Sequence, residues 1–160
     1  MRIEVKKTLS RYDVDIYMDG ELVGSATNMG IYFIGYSIPF RTFPRDWIIV
    51  KHIKQWLKQK QETAKIFTSI DKKKLTFEKT HNRRTGNVYY DGELFLEIAS
   101  GTGNYSWEVY VTYKGEIIKP LINTKKTTLR SLTLGMIDKN LKLLDDIESK
   151  LNGHIDGIYC

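Results

Sequence analysis

Residues Lys7–Leu22, KTLSRYDVDIYMDGEL, and residues Lys79–Leu94, KTHNRRTGNVYYDGEL, are two versions of one segment. Aligned without a gap, they match at Lys7/Lys79, Thr8/Thr80, Arg11/Arg83, Tyr17/Tyr89, Asp19/Asp91, Gly20/Gly92, Glu21/Glu93 and Leu22/Leu94, 8 identities in 16 positions. Unrelated sequence of ordinary composition would give roughly one. The match reads as an internal duplication, so the chain is expected to build one structural unit twice. Asp-Gly between alternating runs signals a two-residue hairpin, because a type I′ turn needs positive φ at both central residues. On this reading the repeated Asp-Gly-Glu-Leu is structural: Asp19-Gly20 and Asp91-Gly92 set turns, and Leu22 and Leu94 enter the core.

Working outward, Arg2–Lys7 sets Ile3 and Val5 against Arg2, Glu4 and Lys6. Tyr12–Met18 sets Tyr12, Val14, Ile16 and Met18 against Asp13, Asp15 and Tyr17, so both runs read as half-buried strands. Glu21–Thr27 is a third strand, and Ile31–Ile38, rich in aromatic and β-branched residues, a fourth. Beyond Pro39 and Pro44 a helix is expected from about Asp46, a residue suited to cap it. Ile49, Val50, Ile53, Trp56, Leu57 and Ala64 recur at helical spacing as its buried stripe, and Lys51, Lys54, Lys58 and Lys65 take another face. The first unit is thus ββββα over residues 1–70.

The second unit, over residues 71–160, repeats the plan with strands at Lys74–Thr80, Val88–Tyr90, Glu93–Ala99 and Tyr105–Tyr113. An extra strand at Glu116–Ile122 follows a Lys114-Gly115 turn. A final helix runs from about Thr127 to Leu151, with Leu129, Leu132, Met136, Leu144, Ile147 and Leu151 on its apolar side. The fold class is therefore α+β: internally duplicated ββββα units whose antiparallel sheet or sheets pack against two amphipathic helices, in one domain spanning 1–160. Two sheets, or one strongly bent, are expected over a single continuous sheet, because about eight or nine strands laid flat would curl.

Twenty-five Lys and Arg against nineteen Asp and Glu leave a net charge of +6, a balance that favours polyanionic partners and also suits a Lys-rich surface. The one cysteine, Cys160, excludes a disulfide framework or a cysteine-based zinc site within one chain. Neither a signal-peptide core nor a membrane-length apolar run is present, so a cytoplasmic protein with no membrane partner is expected. His52, His81 and His154 lack metal-ligand spacing, and no nucleophile or phosphate-cradling motif is found. Asp13 and Asp15 could share a divalent ion but have no convergent third acid. The chain reads as a non-enzyme without a cofactor.

The candidate site lies on the second-copy finger. His81, Asn82, Arg83 and Arg84 form a polar hairpin tip, with Lys72, Lys73 and Lys74 at its base. Arg11, Lys7 and Lys79 are the basic positions shared by the two copies. Guanidinium groups with Asn and His donors suit phosphate, and the same charges also keep a sheet edge from pairing. Tyr17, Tyr32, Tyr36, Tyr89, Tyr90 and Tyr110 fall in or beside strands. Tyr17, Tyr89 and Tyr110 in particular could stack bases along a basic groove, although Glu4, Asp13, Asp15, Glu97 and Glu108 share those faces. In predicted topology the duplicated ββββα plan resembles the Whirly and PUR-type single-stranded nucleic-acid-binding proteins. That resemblance implies the same class of ligand and carries over no residue assignment.

The leading expectation is a small basic protein that binds single-stranded or structured nucleic acid. The alternative is an inhibitor encoded by a phage or mobile element, docking on a host protein that handles nucleic acid. A homodimer pairing through the final helix is a third reading.

Overall fold

The computed structural model describes residues 2–8, 13–39, 46–80, 84–100, 108–123 and 125–150. Along the chain run β1 (Ile3–Lys7), β2 (Val14–Met18), β3 (Glu21–Thr27), β4 (Gly30–Phe33), β5 (Tyr36–Pro39), α1 (Asp46–Lys65), β6 (Leu75–Lys79), β7 (Gly86–Tyr90), β8 (Glu93–Ser100), β9 (Val109–Tyr113), β10 (Glu116–Ile118) and α2 (Leu129–Lys150). The class is α+β as expected, with two separate five-stranded antiparallel sheets, ordered β1-β2-β3-β4-β5 and β10-β9-β8-β7-β6. Every strand pairs only with its neighbours in the chain. One compact unit gathers Met1–Gln59 and Asp146–Cys160, the other Lys60–Asp145.

Among the described residues four hairpins turn on a residue–glycine pair in which both residues are left-handed. They are Asp19-Gly20 (φ 49° and 87°), Ile34-Gly35 (46° and 86°), Asp91-Gly92 (52° and 85°) and Lys114-Gly115 (50° and 80°). Three stand where the sequence puts them. Ile34-Gly35 does not: the expected single strand Ile31–Ile38 is divided into β4 and β5, so the first unit has five strands rather than four. A β-branched residue at positive φ meets a steric penalty that Gly, Asn and Asp largely avoid, so Ile-Gly carries no turn signal. Burial holds Ile34 there, at 6% exposure. The second unit, with its expected additional strand, therefore matches the first strand for strand.

Both units carry a β-bulge at the same place. Ile16 faces Gly24 while Tyr17 faces Leu22, which leaves Val23 as the extra residue. Val88 faces Leu96 while Tyr89 faces Leu94, which leaves Phe95. A bulge resets the in–out alternation of its strand. Leu22 and Leu94 accordingly do not enter the core. They are 58% and 54% exposed, directly opposite Tyr17 and Tyr89 on the outer faces. In the second unit Phe95 turns inward instead, edge-on to Phe67 at 6.2 Å and to Tyr113 at 5.9 Å between ring centroids.

In the first unit the inner face of the sheet (Val14, Ile16, Met18, Ala26, Ile31, Phe33 and Ile38) and Ile49, Ile53, Trp56 and Leu57 of the expected α1 stripe are buried, whereas Val50 of that stripe is half-buried. The Tyr36 and Trp56 rings lie 5.8 Å apart. In the second unit Leu75, Val88, Leu96, Ile98 and Val111 pack with Phe67 and with Leu129, Leu132, Met136 and Ile137 of α2. Helix α2 opens on a reciprocal cap, in which the Ser131 amide donates to Thr128 Oγ1 at 3.1 Å and the Thr128 amide to Ser131 Oγ at 3.2 Å. Toward its other end Leu143 is fully buried, whereas the expected Leu144 is half-buried. Leu151 lies outside the described residues. Asn140 is wholly buried, yet it is satisfied: Oδ1 accepts from the Leu121 amide at 3.0 Å and Nδ2 donates to the Leu121 carbonyl at 2.9 Å.

Gly24 faces Phe33 across β3 and β4. A Cβ added there would stand 1.9 Å from the Tyr32 carbonyl oxygen, whereas one added at Gly20 would meet open space. Gly24→Ala is expected to lower the unfolding free energy by about 3 kcal/mol or more, the size of a core steric defect. Gly20→Ala should lose only the left-handed penalty of about 1–2 kcal/mol. Urea midpoints at unchanged m-value measure both. Equal losses would place the weak point in the turn rather than at the bulged strand.

Candidate binding grooves at the open sheet edges

The residues singled out from sequence do not form one site. Arg11, His81, Asn82 and Arg83 lie outside the described residues. Lys72, Lys73 and Lys74 make one exposed 3-10 turn, capped by Asp71, whose Oδ1 accepts from the Lys73 amide at 3.0 Å. The Lys72 ammonium is already ion-paired with Asp138 of α2. Arg84 is half-buried, with Nε and Nη2 closed off from solvent, so it does not present a guanidinium fork at a finger tip as expected. Lys7 and Lys79 close β1 and β6 at equivalent positions, both exposed.

The tyrosines divide by sheet face. Tyr17, Tyr32, Tyr89 and Tyr110 stand on the outer faces. Tyr36 and Tyr90 sit in inward register, opposite Phe33 and Leu75. Tyr90 packs 6.1 Å from Phe95 and cannot meet a base. Lys6 Nζ lies 4.6 Å above the Tyr17 ring, a cation–π contact that covers one of its faces. The Tyr110 hydroxyl donates to Glu108 at 2.6 Å, which pushes its pKa up. Glu97 is exposed on the same outer face. The outer face of the second sheet is therefore aromatic, aliphatic and acidic, not a basic stacking platform.

The places where basic residues stand beside apolar ones are the open edges along the first strand of each sheet. The Asp19 amide donates to the Arg2 carbonyl at 2.9 Å and the Asp91 amide to the Lys74 carbonyl at 3.0 Å. With the observed register, these bonds fix the phase of each ladder. Backbone groups of Arg2, Glu4 and Lys6 turn toward β2, and those of Lys74, Thr76 and Glu78 toward β7. The N–H and C=O groups of Ile3, Val5 and Lys7, and of Phe77 and Lys79, point away from their sheets. Among the described residues no strand pairs with either edge.

A helix borders each open edge. Beside β1, a groove of about 840 Å3 is lined by Arg2, Ile3, Val5 and Lys6 and by Val50, Lys51, Lys54 and Gln55 of α1, with Glu4 its single acid. Glu4 is itself held by Arg2 Nε at 2.6 Å. Beside β6, a groove of about 560 Å3 is lined by Leu75, Phe77 and Lys79 and by Leu129 and Arg130 of α2. The Arg130 guanidinium carbon lies 5.7 Å from the Phe77 ring centroid. The first groove is flanked by the α1 lysines Lys51 and Lys54 over a thin apolar floor; the second is an apolar floor with Arg130 resting against Phe77. Sequence reasoning found Lys79, saw Lys51 and Lys54 as a helix face that could touch a phosphate backbone, and missed Arg130. The available signal was the alignment of the two edge strands, each followed by its own helix.

Among the described residues no three His, Cys, Asp or Glu side chains gather to hold a metal ion. No described helix is long and apolar enough to cross a membrane. Comparison with known protein families, with curated proteins and with solved structures found no match.

Within the first unit, the Tyr36 hydroxyl donates to Asp146 Oδ2 at 2.6 Å. Burial, reinforced by that carboxylate, raises the Tyr36 pKa well above its ordinary value of 10.0. The bond's contribution is complete below that value and is lost as pH climbs toward the folded-state pKa. Tyr36→Phe should therefore cost about 1.5–3 kcal/mol at pH 7, as for a hydrogen bond to a charged group. The gap from the parent protein should narrow above about pH 10. A gap independent of pH, read by denaturation at both values, would show that packing of the ring carries the effect.

Proposed function

We propose that this is a non-catalytic nucleic-acid-binding protein that holds phosphate along the groove between β1 and α1. The observation that carries this reading is the groove beside β1 to which α1 brings Lys51 and Lys54, with Glu4 its single acid and that acid held by Arg2. Phosphate contacts of this kind confer affinity and register without reading base identity. Lys58, one turn further along α1 and exposed, extends the basic track. The net charge of +6 supports the same ligand class by steering it in. The sheet tyrosines have a smaller part than sequence suggested, because acids share their faces.

The test is fluorescence anisotropy with labelled single-stranded and duplex oligonucleotides over a range of salt. Lys51→Ala combined with Lys54→Ala should weaken binding at least tenfold and flatten the salt slope by about 1.4–1.8, two phosphate contacts' worth. The melting temperature should stay unchanged, since both side chains project from the polar side of α1. Lys72→Ala with Lys73→Ala should do much less. Unchanged affinity in the Lys51 and Lys54 variant would remove the groove from the reading.

A second reading, an inhibitor from a phage or mobile element docking on a host protein, draws on the outer face of the second sheet. Leu94, Tyr110 and Ile117 stand there 54%, 45% and 67% exposed, beside Glu97 and Glu108. Recovery of a stoichiometric protein partner that survives nuclease treatment would favour it.

A further inference from the structure

The two edge grooves share a backbone plan but not a chemistry, and the second is built for a different guest. Phe77 and Lys79 direct their N–H and C=O groups outward from β6, and Leu75 adds an outward carbonyl while its N–H is already given to the Lys72 carbonyl. Those groups are spaced as in any strand awaiting a partner. The floor beneath them is apolar: Leu75 and Leu129 are buried at 7% and 1% exposure, and Phe77 packs against the same core. Lys79 and Arg130 also line it, the Arg130 guanidinium resting 5.7 Å from the Phe77 ring centroid, and Glu78 stands on the opposite face of the sheet, outside the groove.

We propose that the β6–α2 groove binds an extended acidic segment of a partner protein, which adds to the sheet as a sixth strand beside β6. Strand addition takes its affinity from main-chain hydrogen bonds and its selectivity from alternate side chains. In this groove apolar side chains of the guest lie on Leu75, Phe77 and Leu129, and a carboxylate meets Lys79 and Arg130. Charge selects this occupant over a second copy of the chain. Antiparallel pairing of two β6 strands about Phe77 would set Leu75 of one copy opposite Lys79 of the other and bring no carboxylate to the groove, since Glu78 stands on the opposite face. Nucleic acid suits the groove poorly, because the apolar floor offers it nothing in place of lost hydration. The inference is independent of phosphate binding at β1.

The experiment uses the whole protein and two capped, labelled peptides, TVTVTETE and its reverse ETETVTVT, because the guest can run in either direction. One of them is expected to bind saturably. On binding, amide exchange followed by NMR should slow at Phe77 and Lys79 and stay unchanged at Thr76 and Glu78, whose N–H groups already bond to β7. Methylation of alternate peptide nitrogens should abolish binding. Lys79→Glu with Arg130→Glu should weaken it at least tenfold while leaving oligonucleotide binding as it was. Four results would overturn the proposal: no saturable binding of either peptide at millimolar concentration, equal binding of the methylated peptide, exchange protection spread evenly along β6, or protection of Phe77 and Lys79 by self-association without peptide. Loss of oligonucleotide binding in the Lys51 and Lys54 variant bears on the β1 groove alone, so the two readings fail separately.

Discussion

A two-residue hairpin with both residues left-handed leaves the chain no choice but to return alongside itself. It occurs four times, at Asp19-Gly20, Ile34-Gly35, Asp91-Gly92 and Lys114-Gly115, because its twist matches that of the flanking strands. Successive returns of this kind make a meander in which each strand lies beside the one just formed. A meander has two edges, and the first strand is always one of them. The open edges of β1 and β6 thus follow from the turns. So does their equivalence, since the same residue–glycine geometry recurs at the same places in both units.

The bulge decides what else reaches solvent. By inserting Val23 and Phe95 it moves Leu22 and Leu94 to the outer faces, opposite Tyr17 and Tyr89. Those faces become mixed surfaces, apolar at the bulge and acidic at Glu97 and Glu108. A polyanion finds no continuous positive field there. The lysines that flank the β1 groove come from the face of α1, beside an edge strand whose backbone groups point outward. Lysines at such edges also guard against unwanted strand pairing, so Lys7 and Lys79 have a reason to be present whatever else binds.

Much of this architecture could be read from the residues. The repeat, the Asp-Gly turns, the buried stripe of α1 and the α+β class all follow from periodicity and turn chemistry, which are local properties. The miss at Ile34-Gly35 has a physical cause: the buried setting of Ile34 overrides its aversion to positive φ, and no local signal records that. The displacement of Leu22 and Leu94 has a similar cause, because a bulge depends on how one strand's length fits its neighbour's. Lys51 and Lys54 were visible as a helix face, but a groove requires knowing that the face stands beside β1. Arg84 reads as a tip residue from its neighbours, yet it is drawn half into the fold. In each case the missing information lay in packing between elements.

Duplication supplies the strongest constraint on interpreting the two grooves. Ile3, Val5 and Lys7 correspond to Leu75, Phe77 and Lys79, and both triplets hold their backbone groups outward in the same phase. If the edges served only to end their sheets, their helix flanks would have no reason to differ in character. They differ in kind: α1 brings Lys51 and Lys54 to its groove, whereas α2 brings Leu129 and a guanidinium resting on Phe77. A cationic rim favours a charged, hydrated ligand held at its surface. An apolar floor beside outward-facing backbone favours a ligand that can surrender water and return hydrogen bonds. The same backbone edge, built twice, is thereby flanked by two chemically distinct surfaces.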